Sequence, residues 1–155
     1  MNALRRNVLK GAAGAGAVAV AVAAGLLKPT QAMAAWNKSA FEAKSVGDAM
    51  KGLGVSSPVD SKDITIKAPD IAENGAVVPV EVTSGIAGTT HIAIIAEKNG
   101  TPLVGNFNLS GGAQGFISTR IKMGQTSLVR AVVKAGGKSY TAAKEVKVTI
   151  GGCGG

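Results

Sequence analysis

The sequence contains one cysteine, one histidine, one tryptophan, one tyrosine and three phenylalanines, and each shortage removes a class of function. A lone cysteine has no partner within the chain, so no internal disulfide framework is available. The single histidine, His91, has no cysteine near it, and a zinc site needs three or four such ligands. The C-x-x-C-H signature of haem attachment is missing. No basic cluster is interleaved with aromatics, which removes nucleic acid from the expected partners. The nine acidic residues are scattered and form no catalytic pair. GGAQGF at 111–116 is a loop with no helix behind it, so it is no nucleotide fingerprint. A Ser-His-Asp triad built on His91 has no motif support. The four methionines are isolated from one another and form no metal-binding tract. No long-period repeat and no second domain are visible.

What is present begins with a targeting segment. Arg5 and Arg6 are adjacent, the apolar run GAAGAGAVAVAVAAGLL follows, and Ala32 and Ala34 make an A-x-A site with cleavage expected before Ala35. The twin arginines point to Tat export, hence the periplasm. The competing reading is a membrane anchor. The run holds about 17 apolar residues, the lower edge of a spanning length. It is rich in Gly and Ala, and a cleavage site follows it. Residues 1–34 are therefore assigned to a cleaved Tat signal, with no membrane contact afterwards. Four of the 17 basic residues go with it, leaving 13 against 9 acidic, a net charge of +4. That is ordinary for a soluble domain.

Residues 35–150 read as a helix followed by strands. WNKSAFEAKSVGDAMKGLG is predicted to form one amphipathic helix with Phe41, Val46, Ala49, Met50 and Leu53 on one side. Gly52 and Gly54 are its candidate stops. A helix this short needs the following domain or a partner to pack on. Seven strand segments follow: DITIKAP, GAVVPVEVTS, TTHIAIIAEKNG, TPLVGNFNLS, QGFISTRIKM, TSLVRAVVKAGG and KSYTAAKEVKVTI. Val78, Val80 and Val82 share a face, at the period of a half-buried strand. Pro79 within that run argues for an edge strand or a bulge. Asn99-Gly100 and Gly136-Gly137 are turn dipeptides. Seven short strands at regular spacing predict an antiparallel immunoglobulin-like β-sandwich, without the Cys…Trp…Cys core of antibody domains.

The chain ends in residues 151–155, GGCGG. Cysteine is usually a buried residue type, yet Cys153 lies beyond the last strand. Its α-carbon reaches at most roughly 10 Å past Ile150. Gly151, Gly152, Gly154 and Gly155 have no side chains and allow wide backbone freedom. Together they describe a thiol on a thin arm that can enter a narrow channel in another protein. An exposed thiol ionises near pH 8.5, and nothing within GGCGG lowers that value, so activation falls to the partner. This is a carrier's arrangement, with no enzyme constellation and no cofactor site in the chain itself. The alternative is an interaction module cross-linked by an intermolecular disulfide through Cys153. A hydrolase using His91 is a third class.

GGCGG, the stretches SKDITIKAPDIAENGAVVPVEV, FISTRIKMGQTS and AGGKSYTAAKEVKVTIGGCGG, and the twin-arginine signal together resemble the SoxY family. These are sulfur carriers of the bacterial thiosulfate-oxidising Sox system. The resemblance implies an immunoglobulin-like sandwich and a heterodimer with SoxZ. It implies that Cys153 carries the sulfur cargo covalently. The haem protein SoxAX would join thiosulfate to the thiol. The manganese hydrolase SoxB would release sulfate and leave a persulfide. SoxCD, where present, would oxidise the remaining sulfur. No metal or haem is implied for the chain itself.

Overall fold

The computed structural model describes residues 37–110 and 112–149, all within one compact unit, Trp36–Gly155. The signal residues Arg5, Arg6, Ala32 and Ala34, and the arm with Cys153, lie outside the described residues.

Among the described residues two short helices come first, α1 (Lys38–Phe41) and α2 (Val46–Gly52). The sequence pattern led us to expect one helix here, and Ser45 is the reason there are two. Its backbone is extended, with φ −129° and ψ 154°, and its hydroxyl accepts the Asp48 N–H at 3.0 Å. A serine that satisfies an orphan N–H in this way starts a new helix. α2 stops as a Schellman motif. Gly54 takes φ 69°, Val55 N–H donates to the Met50 carbonyl, and Gly54 N–H to that of Lys51. Gly54 is thus the stop signal, whereas Gly52 is still helical.

Nine strands follow among the described residues: β1 (Val59–Asp60), β2 (Ile64–Lys67), β3 (Ile71–Ala72), β4 (Val78–Ser84), β5 (Thr89–Ala96), β6 (Leu103–Asn108), β7 (Phe116–Ile121), β8 (Ser127–Ala135) and β9 (Lys138–Val148). All seven expected strands are present. β1 and β3 are additional two-residue segments. They pair parallel to β9, so the sandwich is not wholly antiparallel. The larger sheet runs β1-β9-β8-β5-β6, with β3 also on β9, and the smaller runs β2-β4-β7. Gly136 and Gly137, at φ 56° and 76°, close the β8–β9 hairpin. Two consecutive positive φ values are what a type I′ turn requires.

β4 is the middle strand of its sheet, which corrects the expectation drawn from Pro79. β2 pairs only with Glu81–Ser84, whereas β7 pairs along Val78–Thr83. At Pro79 the strand has a partner on one side only, so a residue without an N–H is tolerated there.

The sheets face each other across Ile64, Val78, Val80, Val82, Ile92, Ile94, Val129, Ala131, Val133 and Val146, all buried. A second cluster lies on the other face of the larger sheet. There Ala93, Ile95, Leu103 and Val132 pack against Ala40, Ala43, Ala49, Leu53 and Val55. The fold is an immunoglobulin-like β-sandwich with two helices laid on one outer face.

Candidate functional site

The root of the C-terminal arm is β9, the longest strand of the fold at 11 residues. Its first nine residues are held by β8 in register from Ala135↔Lys138 to Ser127↔Val146. Its last turn outward is fastened from both sides. On one side Val148 N–H donates to Thr126 Oγ1 at 2.9 Å, and that hydroxyl lies 3.4 Å from the Val148 carbonyl. On the other, Lys147 N–H donates to the Asp70 carbonyl and Thr149 N–H to that of Ala72. Lys144 Nζ adds a bond to the Ala68 carbonyl at 2.6 Å and an ion pair with Asp70 at 3.0 Å.

These contacts give the arm a fixed base at Thr149. Four chain steps separate Thr149 from Cys153, a span of at most about 14 Å between their α-carbons. Neither Thr126 nor the 68–73 segment was identifiable from the sequence as part of the site. Val148 and Thr126 are 22 residues apart, and the β3 contact rests on a two-residue parallel pairing with no pattern of its own.

His91 is not brought into this site. It lies on β5, 7% exposed, with Nε2 hydrogen-bonded to Asn106 Oδ1. Its Nδ1 is buried and has no hydrogen-bond partner among the described residues. Burial pushes its pKa below the ordinary value, the Asn106 bond opposes that, and the Lys134 ammonium adds to it. The ring is therefore neutral at physiological pH. Its partner is an amide rather than an orienting carboxylate, so the arrangement that prepares a catalytic base is missing. No three His, Cys, Asp or Glu residues among those described are grouped to hold a metal ion. Among the described residues, no helix is long and apolar enough to cross a membrane.

Comparison with known proteins adds a family. The family described as "Sulfur oxidation protein SoxY" matches residues 50–153, a stretch that ends on the cysteine. The solved sulfur carrier protein SoxY from Chlorobium limicola f thiosulfatophilum is 44% identical, with a TM-score of 0.62 over 68% of this chain and 97% of that one. A superoxide reductase (neelaredoxin) from Ignicoccus hospitalis is similar at 20% identity and a TM-score of 0.49, over 55% of this chain and 78% of that one. No curated protein matches.

Proposed function

The chain belongs to the SoxY family of sulfur oxidation proteins, and from that premise we propose that it is a periplasmic carrier that holds sulfur intermediates covalently on Cys153. The observation that supports this most is the position of its only cysteine. Cys153 closes the family match and stands between two glycine pairs, five residues past a strand end, Val148, fastened on both sides. A carrier needs a thiol that travels while its base does not.

The chemistry proposed for the arm balances as follows. The Cys153 thiol and thiosulfate lose one proton and two electrons and form a disulfide-type S–S bond, giving Cys–S–S–SO3−. The electrons go to a haem partner such as SoxAX. Water then attacks the sulfonate sulfur in a hydrolase such as SoxB. The S–SO3 bond breaks, sulfate and a proton leave, and a persulfide stays on Cys153. Where SoxCD is present, it takes six electrons from the outer sulfur while three waters supply its oxygens and six protons leave, giving Cys–S–SO3−, and the hydrolase then releases sulfate with water and restores the thiol. The chain supplies none of the catalysis. The Cys153 thiol has no cation or base beside it in GGCGG, so each partner's pocket must generate the thiolate. Gly151, Gly152, Gly154 and Gly155 keep the arm narrow on both sides of the cargo. SoxZ is the proposed heterodimer partner, and residues 1–34 are the proposed Tat signal.

Cys153→Ser tests the proposal. The variant should fold and pair normally, yet lose thiosulfate-dependent turnover completely in a reconstituted system. Retained turnover would end the carrier reading. Intact mass of the protein from thiosulfate-fed cells should show reducible sulfur additions on Cys153. A protein–protein disulfide alone would favour the cross-linked module.

A further inference from the structure

An open groove of about 780 Å³ lies beside the β5–β6 and β7–β8 loops. Its lining includes Lys44, Lys98, Arg120 and Lys122 and not one acidic side chain. All four cations are exposed, and none has an ion-pair partner among the described residues. The nearest acids along the chain are engaged elsewhere. Glu97 is bound to Arg130 Nε at 2.7 Å and Glu42 pairs with Lys38. Four like charges brought together from three separate parts of the chain repel one another, and such a field favours an anionic partner.

The groove has a fixed floor. The Asn99 side chain donates to the Lys122 carbonyl at 2.7 Å and accepts the Gly124 N–H at 3.1 Å, which ties the two loops together. One side of it leads to the end of β9. Gln125 lines the groove, and its neighbour Thr126 makes the bonds that fasten Val148 at the end of β9. A molecule seated in the groove therefore lies at the end of the sandwich from which the arm departs.

We propose that this groove is the docking surface for an acidic face of a protein that acts on the arm's cargo, an inference that rests on the carrier reading above. The volume far exceeds that of one inorganic oxyanion, and the cations stand along an open channel. Among the described residues no aromatic side chain lines it, which leaves a nucleic acid no stacking surface there. Charge complementarity of this kind speeds encounter and sets orientation without tight binding. That suits a carrier, which must leave each partner after every step.

The test uses the 15N-labelled mature chain and poly-L-glutamate as probe, with poly-L-lysine and sodium sulfate as controls. Poly-L-glutamate should shift the resonances of Lys98–Gln125 and bind more weakly as salt rises toward about 0.15 M. The Lys98→Gln/Arg120→Gln/Lys122→Gln variant should lose about ten-fold in that affinity while keeping a dispersed, folded spectrum. Shifts spread over lysines outside the groove, such as Lys62, Lys67 and Lys138, with affinity unchanged in the variant, would overturn the proposal. So would sulfate alone saturating the groove and excluding the polymer, since that outcome makes it a small-anion site. Cys153→Ser should bind the polymer like the unaltered chain while losing thiosulfate-dependent turnover, and the triple variant should lose polymer affinity while its Cys153 thiol still reacts with a small thiol reagent. A failure of docking is thereby separable from a failure of the carrier reading.

Discussion

β5 and β7 belong to facing sheets of one sandwich, yet they are written differently. β7 alternates, with Phe116, Ser118 and Arg120 outward and Ile117, Thr119 and Ile121 inward. β5 does not alternate, and every residue from His91 to Ala96 is buried. The difference lies in what covers the second face. Ile92 and Ile94 meet the opposite sheet, whereas Ala93 and Ile95 meet the helices. Among the described residues the outer face of β7 is left exposed, and its row continues with Glu81 and Thr83 on β4 and Thr65 and Lys67 on β2. A continuous apolar run in a sandwich strand thus reports a third layer.

The largest stability effect expected is on β5. Ile94→Ala and Ile95→Ala should each cost about 2–5 kcal/mol in chemical denaturation, because both leave a cavity in a packed interior. Near-equality of the two would establish that the helical layer packs as firmly as the second sheet. A cost for Ile95→Ala well under that of Ile94→Ala would show a loosely applied layer and break the comparison.

The next effect concerns how closely that layer is built. A Cβ placed on Gly52 would lie 2.7 Å from Ala40 Cα and 2.8 Å from Ala40 N, and backbone atoms do not move aside cheaply. Gly→Ala inside a helix normally gains about 1 kcal/mol. Here Gly52→Ala should instead lose about 1–3 kcal/mol through overpacking of α1 against α2. A stabilised variant would mean that the two helices do not touch in this way.

The positions of the main strands were largely legible because alternation and glycine turns are local signals. Val78, Val80 and Val82 announce the inner face of β4, and Gly136-Gly137 announces a hairpin. The break between α1 and α2 was also written locally, in Ser45 and Asp48, but it was outweighed by apolar spacing that runs through both helices. Non-local features were not legible. β1 and β3 exist only through β9, two residues at a time. The Thr126 clasp on Val148 and the groove of Lys44, Lys98, Arg120 and Lys122 need the folded chain to bring their parts together. For the candidate site, the cysteine was readable from its position alone, and the base that holds its arm was not.

His91 marks the point on β5 where burial meets a titratable group, so it gives the comparison a pH axis. Burial lowers its folded pKa below the ordinary 6.5, and the unfolded chain therefore binds the proton more readily. Its contribution to stability is fully present above about pH 6.5 and is lost as pH falls from there through the folded pKa. The unfolding midpoint should decline over that window, and His91→Gln should flatten the decline. An unchanged slope in that variant would show that other groups set it.

The smallest effect is expected on the outer face of β7. Phe116 is 45% exposed and stands opposite Thr83, in a row that is otherwise polar. An apolar side chain already half in water has little burial left to lose. Phe116→Ser should therefore change stability by about 0.5 kcal/mol or less, the usual range for a surface position. The measurement is an unfolding curve at two protein concentrations. A loss several times larger that grows with concentration would mean that copies of the chain cover this face. β7 would then be a strand with two buried faces like β5, its second cover supplied from outside the chain rather than by its own helices.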